Sequence, residues 1–194
     1  MPAQFGIQLL LPGLLYGITT LMAGAVLSGI VKVPASWLGW LWVPATLIYV
    51  PIYLVLLRRR VRTVIPGSGA RIWIGAWTAM GLMSCAVLIA LVMARGRIDA
   101  PFILMWPPIA FALYGGAWTM VGVIRRRSLY GFVAAGSFVT AVVCAMLISM
   151  PAQWLVMGIG ILLWVAGPGA LIVLGTRAAS TGTQTPPIAT ASSL

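Results

Sequence analysis

The stretch Arg58-Arg59-Arg60-Val61-Arg62 breaks into a chain that is otherwise almost continuously apolar, and a smaller cluster, Arg125-Arg126-Arg127, does so again. An arginine at the centre of a bilayer costs about 2.5–3.5 kcal/mol. Each cluster must therefore sit at a membrane face, and each marks where the neighbouring apolar runs start and stop. Over the whole chain 62% of residues are hydrophobic and only 7% are charged, whereas soluble domains carry about 25% charged residues. A soluble fold would have almost nothing to show to water.

The apolar runs are each roughly 20 residues, long enough to cross about 30 Å of hydrocarbon. They predict an all-α integral membrane protein, a bundle of six transmembrane helices with short loops over residues 1–176. The spans expected are Gly6–Val31, Trp37–Leu57, Ile72–Met93, Pro101–Ile124, Leu129–Met150 and Trp154–Thr176. A basic loop, Arg58 to Arg71, carries the turn signal Pro66-Gly67-Ser68-Gly69. Trp37, Trp40 and Trp42 form an aromatic belt at the start of the second span. Pro44 and Pro51, Pro107 and Pro108, and Pro168 fall in the even-numbered spans, and the third and fifth have none. This predicts kinked even-numbered helices. From Arg177 the composition shifts to Ser, Thr, Ala and Pro, which predicts a disordered cytoplasmic tail over 177–194.

With six spans, nine of the 12 basic residues fall on one side: Arg58, Arg59, Arg60, Arg62, Arg71, Arg125, Arg126, Arg127 and Arg177. Lys32, Arg95 and Arg97 fall on the other. The positive-inside rule then places both termini in the cytoplasm of a cell with a bacterial-type inner (plasma) membrane. Arg58, Arg59, Arg60, Arg62, Arg125, Arg126 and Arg127 are read as topology determinants or contacts to anionic lipid at the cytoplasmic face. The net charge of +11 would suggest nucleic acid in a soluble protein. At the ends of apolar spans it does not, and no nucleic-acid partner is expected.

Helices in lipid associate through small residues that let backbones approach closely. Gly13 and Gly17 form a GxxxG pair in the first span, and the fifth holds Gly131, Ala134, Ala135, Gly136 and Ser137. The density of that second set predicts a central fifth helix with Gly131 and Ala135 facing protein rather than lipid.

Chemistry is harder to find. General acid–base catalysis needs a titratable group near the working pH, but the chain has no histidine and a single acid, Asp99. Asp99 stands two residues before Pro101 and beside Arg95 and Arg97, which suits a helix cap or an ion pair. Cys85 and Cys144 lie inside spans without other metal ligands nearby, and the ten methionines are scattered. No catalytic residue, metal site or cofactor is expected, so the chain is read as non-enzymatic. The leading expectation is an accessory or structural subunit bound to another membrane protein. The alternative is a small transporter or channel subunit for an uncharged or hydrophobic solute. A filled bundle centre favours the first, and a central pocket with converging polar groups favours the second.

Two outcomes follow from this reading. Cysteines introduced beside Arg62 and beside Ala100 should label from opposite sides of the membrane; labelling from one side refutes the six-span topology. Asp99→Asn should lower stability by about 1 kcal/mol or less, as for an exposed cap or ion pair, and leave the folded protein functional.

Overall fold

The computed structural model describes residues 3–34, 37–63, 75, 77, 79–84, 86–87, 89–90 and 104–181, and these are helical apart from short links. In hydrocarbon every backbone N–H and C=O needs a partner within the segment, which leaves the helix as the spanning form for chains like this one. The described helices are α1 (Ala3–Leu27), α2 (Leu38–Thr63), α3 (Trp106–Arg125), α4 (Ser128–Met146), α5 (Ala152–Ile161) and α6 (Gly167–Thr181). A π-helical segment, Leu162–Ala166, joins the last two. Four stretches are long and apolar enough to cross a membrane: Phe5–Leu27, Trp106–Arg125, Ser128–Met146 and Ala152–Thr176. In α2 the apolar part is shorter, Trp40–Val55. The expected third span has helical described residues between 75 and 90, while Arg71, Cys85, Arg95, Arg97, Asp99 and the stretch 182–194 lie outside the described residues.

Helix α1 stops earlier than its hydropathy suggests because of Gly29, whose φ of 73° is the left-handed region. Ile30 N–H reaches Ala25 O at 3.0 Å and Gly29 N–H reaches Val26 O at 3.0 Å. This pair of bonds is the Schellman ending, and it needs a residue that tolerates positive φ. Helix α2 goes the other way. It continues through Arg58–Arg60 and Arg62 to Thr63, so the expected basic loop begins as helix. Arginine is a good helix former, and cations favour a helix C-terminus. Likewise α6 continues through Arg177 to Thr181, five residues into the expected tail.

The prolines do not sort by span direction. Pro107 and Pro108 stand in the first turn of α3, where the missing N–H groups would be unbonded anyway; they start the helix rather than bend it. Pro12 lies inside α1, an odd-numbered span. Pro168 follows the π segment, in which Gly167 N–H bonds to Leu162 O. A proline cannot donate to the carbonyl four residues back and crowds it, and a widened turn just ahead relieves that crowding.

The bundle is organised around α1, not around the fifth span. Along its length α1 runs antiparallel to α5 and α6, and glycines from both sides close the gap. Gly6 meets Val173, Gly13 meets Ala166, Gly17 meets Leu162, Gly24 meets Leu155, Gly158 meets Leu21, and Gly169 meets Leu10. Every step up α1 is matched by a comparable step down its partner. A Cβ on Gly13 would lie 2.5 Å from the Ala166 backbone nitrogen, and one on Gly169 would lie 2.5 Å from that of Leu10. Backbone meets backbone there, and no larger residue fits. On its other side α1 holds α2 through Tyr16, which stacks on Trp42 at 6.0 Å, meets the edge of Tyr49 at 5.8 Å and hydrogen-bonds to Thr46 Oγ1 at 3.3 Å.

Helices α3 and α4 form a tight hairpin, and α4 leans on α5. The packed face of α4 carries Tyr130, Val133, Ala134, Ser137, Thr140, Ala141 and Cys144. Gly131 and Ala135 are both exposed, and a Cβ on Gly131 would meet nothing within 4 Å. The expectation that this pair packs against protein is therefore corrected. A rich set of small residues does not say which of them share a face, and here Ala134 and Ser137 point inward while their neighbours point out.

Stability should follow this geometry. Gly13→Leu forces bulk between two backbones and should cost about 3 kcal/mol or more, whereas Ala135→Leu should stay within roughly 0.5 kcal/mol of the parent. A thermal-denaturation series in mild detergent checks both, and equal melting temperatures for the two variants would contradict the packing described.

Candidate functional site

Polar side chains inside the bundle are mostly committed to their own helices. Thr20 Oγ1 donates to Tyr16 O at 2.6 Å, Ser137 Oγ to Val133 O at 2.7 Å, and Thr119 Oγ1 to Gly115 O at 2.9 Å. A hydroxyl that donates to the carbonyl four residues back is satisfied without a neighbour. Such groups offer no free hydroxyl proton to a ligand. Besides the exposed Tyr16–Thr46 bond, two side chains reach across from one element to another. Trp164 Nε1, in the π segment, donates to Thr140 Oγ1 at 2.9 Å, and Thr140 donates in turn to Gly136 O at 2.9 Å. The Trp164 ring lies against Gly136, where a Cβ would overlap it, and meets the edge of Phe132 at 5.6 Å. Gly136 thus makes room for the indole that ties the last helix to α4.

The second crossing is at the far end. Gln153 is fully buried, and its Nε2 donates to Leu104 O at 2.7 Å. Its Oε1 has no hydrogen-bond partner. Gln153 borders a recess of about 350 Å³ whose other walls include Leu27, Leu38, Leu104, Met150 and Trp154. That oxygen is enclosed by the protein, and leaving it unpaired there carries a desolvation cost.

The arginines of the α3–α4 turn lie at the opposite end. Phe5, Tyr114, Trp118 and Tyr130 are buried in one cluster with Trp77 packed on it. Trp118 stacks on Tyr130 at 5.4 Å with planes 13° apart, and Trp77 meets Trp118 edge-on at 5.2 Å. These rings pin the start of α1 to the end of α3 and the start of α4. Directly beyond them is the turn Arg125–Arg127, with all three residues exposed. Arg126 adopts φ 50° and closes α3 through its N–H to Gly122 O at 2.8 Å. Arg127 is extended and precedes α4. The antiparallel pairing of Tyr16 with Thr46 puts Arg58, Arg59, Arg60 and Arg62 level with the start of α1. The structure therefore brings the two predicted arginine clusters to one end of the bundle. It also separates the four predicted packing residues, with Gly13 and Gly17 at the central contact and Gly131 and Ala135 on an open face.

That open face is a groove of about 540 Å³ running from Arg126, Arg127 and Ser128 along Gly122, Gly131, Ala134 and Ala135 to Phe138. Sequence reasoning missed it because its lining comes from two helices, and only the hairpin turn sets them side by side. Among the described residues no three His, Cys, Asp or Glu side chains come together. What these surfaces can do is bind: by apolar burial along the groove and by charge at its basic end. No protein-family profile matches the chain, and neither a curated protein nor a solved structure is significantly similar to it.

Proposed function

We propose that this chain is a non-enzymatic, multi-pass subunit of a membrane complex, lying in the inner (plasma) membrane with both termini and the arginine clusters on the cytoplasmic side. The observation that carries the reading is the close contact, among the described helices, of α1 with α5, the π segment and α6 between Gly6 and Gly24. A solute path through that contact would have to separate helices that hold each other by their glycines. Helix α2 supplies the surface for association. Among the described helices it packs substantially against α1 alone, and it presents Trp40, Leu47 and Leu54, seven residues apart, on an exposed stripe. Residues so spaced line one side of a helix and make a seam for a partner helix.

A second reading, a small transporter or channel subunit for an uncharged or hydrophobic solute, draws its support from the unpaired Gln153 Oε1 and its recess. Leu155 on Gly24 and Leu21 on Gly158 close the bundle one turn beyond that recess, which favours the subunit reading. A photo-crosslinking residue at Leu47, activated in native membranes, decides between them. A single discrete protein adduct at Leu47, missing when the same residue is placed at Leu163, is the expected outcome. Adducts of lipid size only, at both positions, would refute the subunit reading.

A further inference from the structure

We propose that the groove between α3 and α4 binds an anionic phospholipid, its phosphate at Arg126, Arg127 and Ser128 and one acyl chain laid toward Phe138. The groove has one polar end and one apolar length, as such a molecule does. Its apolar part is walled by Val123, Ala134, Ala135 and Phe138. Thr119, the one hydroxyl among these walls, is already committed to Gly115 O, so nothing along the length asks for a polar group. The floor is low because both helices are small where they converge, with Gly122 so near Gly131 that a Cβ on it would lie 3.5 Å from the Gly131 nitrogen.

Among the described residues no Asp or Glu stands opposite Arg126 and Arg127. The chain has 12 basic residues and one acid, and that acid, Asp99, lies outside the described residues. Arg126 and Arg127 project from the turn itself, one closing α3 and the other preceding α4. The N-terminus of α4 adds the positive end of its dipole at the same place. Phosphate is an anion that guanidinium groups and helix N-termini bind well, and a bilayer supplies it already joined to acyl chains. A second helix is the poorer occupant: the Arg125–Arg127 turn closes the groove, and a passing helix would bury the charges of Arg126 and Arg127 against it.

The site rests on the chain lying in a bilayer and not on any protein partner. Native mass spectrometry of the full chain in a neutral detergent, with phosphatidylglycerol or phosphatidylcholine added at equal concentration, tests it. The parent should retain phosphatidylglycerol in preference to phosphatidylcholine. Arg126→Gln and Arg127→Gln should each weaken phosphatidylglycerol retention about five-fold and leave phosphatidylcholine unchanged. Gly131→Leu, whose side chain enters open space, should abolish the preference while the melting temperature holds or rises. Excess inorganic phosphate should not displace the lipid. Equal retention of the two lipids by the parent, undiminished phosphatidylglycerol binding in Gly131→Leu, or displacement by phosphate alone would each overturn the proposal. A chain that passes this test yet gives no protein adduct at Leu47 would keep the lipid site and lose the subunit role.

Discussion

In a bilayer, lipid tails are as apolar as leucine, so burying a leucine against another helix offers little advantage over leaving it in lipid. What distinguishes helix from lipid is how closely two backbones can approach. The contact of α1 with α5 and α6 is of that kind, with Gly6, Gly13, Gly17 and Gly24 on one side and Gly158 and Gly169 on the other. The remaining helices attach to this core by bulkier means. Tyr16 carries α2 on a ladder of rings, and Trp164 carries α4 through Thr140.

Among the described residues the bundle therefore has two chemically different ends joined by the contact of α1 with α5 and α6. At one end a buried layer of aromatic rings sits beneath exposed arginines. At the other, Gln153 holds the link before α3 to the start of α5 through a single amide. The hydroxyls of Thr20, Ser137 and Thr140 answer to their own helices, which leaves few donors to draw a polar solute inward. Binding surfaces remain at the periphery, in the α3–α4 groove and along α2, where an associating protein or lipid would touch them.

The membrane class, the separation of charge from apolar length and the GxxxG pair in α1 were all readable from residue order. Gly13 and Gly17 announced a close approach but not its partner, since a small-residue pair is complementary to any smooth helix. Gly131 and Ala135 failed for a related reason. They lie four residues apart and so share a face, but composition does not say whether that face meets protein or lipid, and here the inward positions are Ala134, Ser137 and Ala141. Helix ends were misjudged where local chemistry overrode hydropathy: Gly29 cut α1 short, and arginines prolonged α2. The bond from Trp164 to Thr140 joins residues far apart in sequence, and nothing in either neighbourhood signals it.

The central contact also orders events in time. It joins the first described helix to the last, so during synthesis α1 enters the membrane with its glycine face bare. At about 5–20 residues per second, the residues that cover Gly24 and Gly6 follow on the order of ten seconds later. Until then the chain is a set of hairpins without a centre, and its most adhesive surface lies open to other helices. Assembly of this bundle is thus a long-range closure, slow in the way high-contact-order folds are slow, and loss of α6 would remove the contacts at Gly6 and Gly169 rather than a dispensable end.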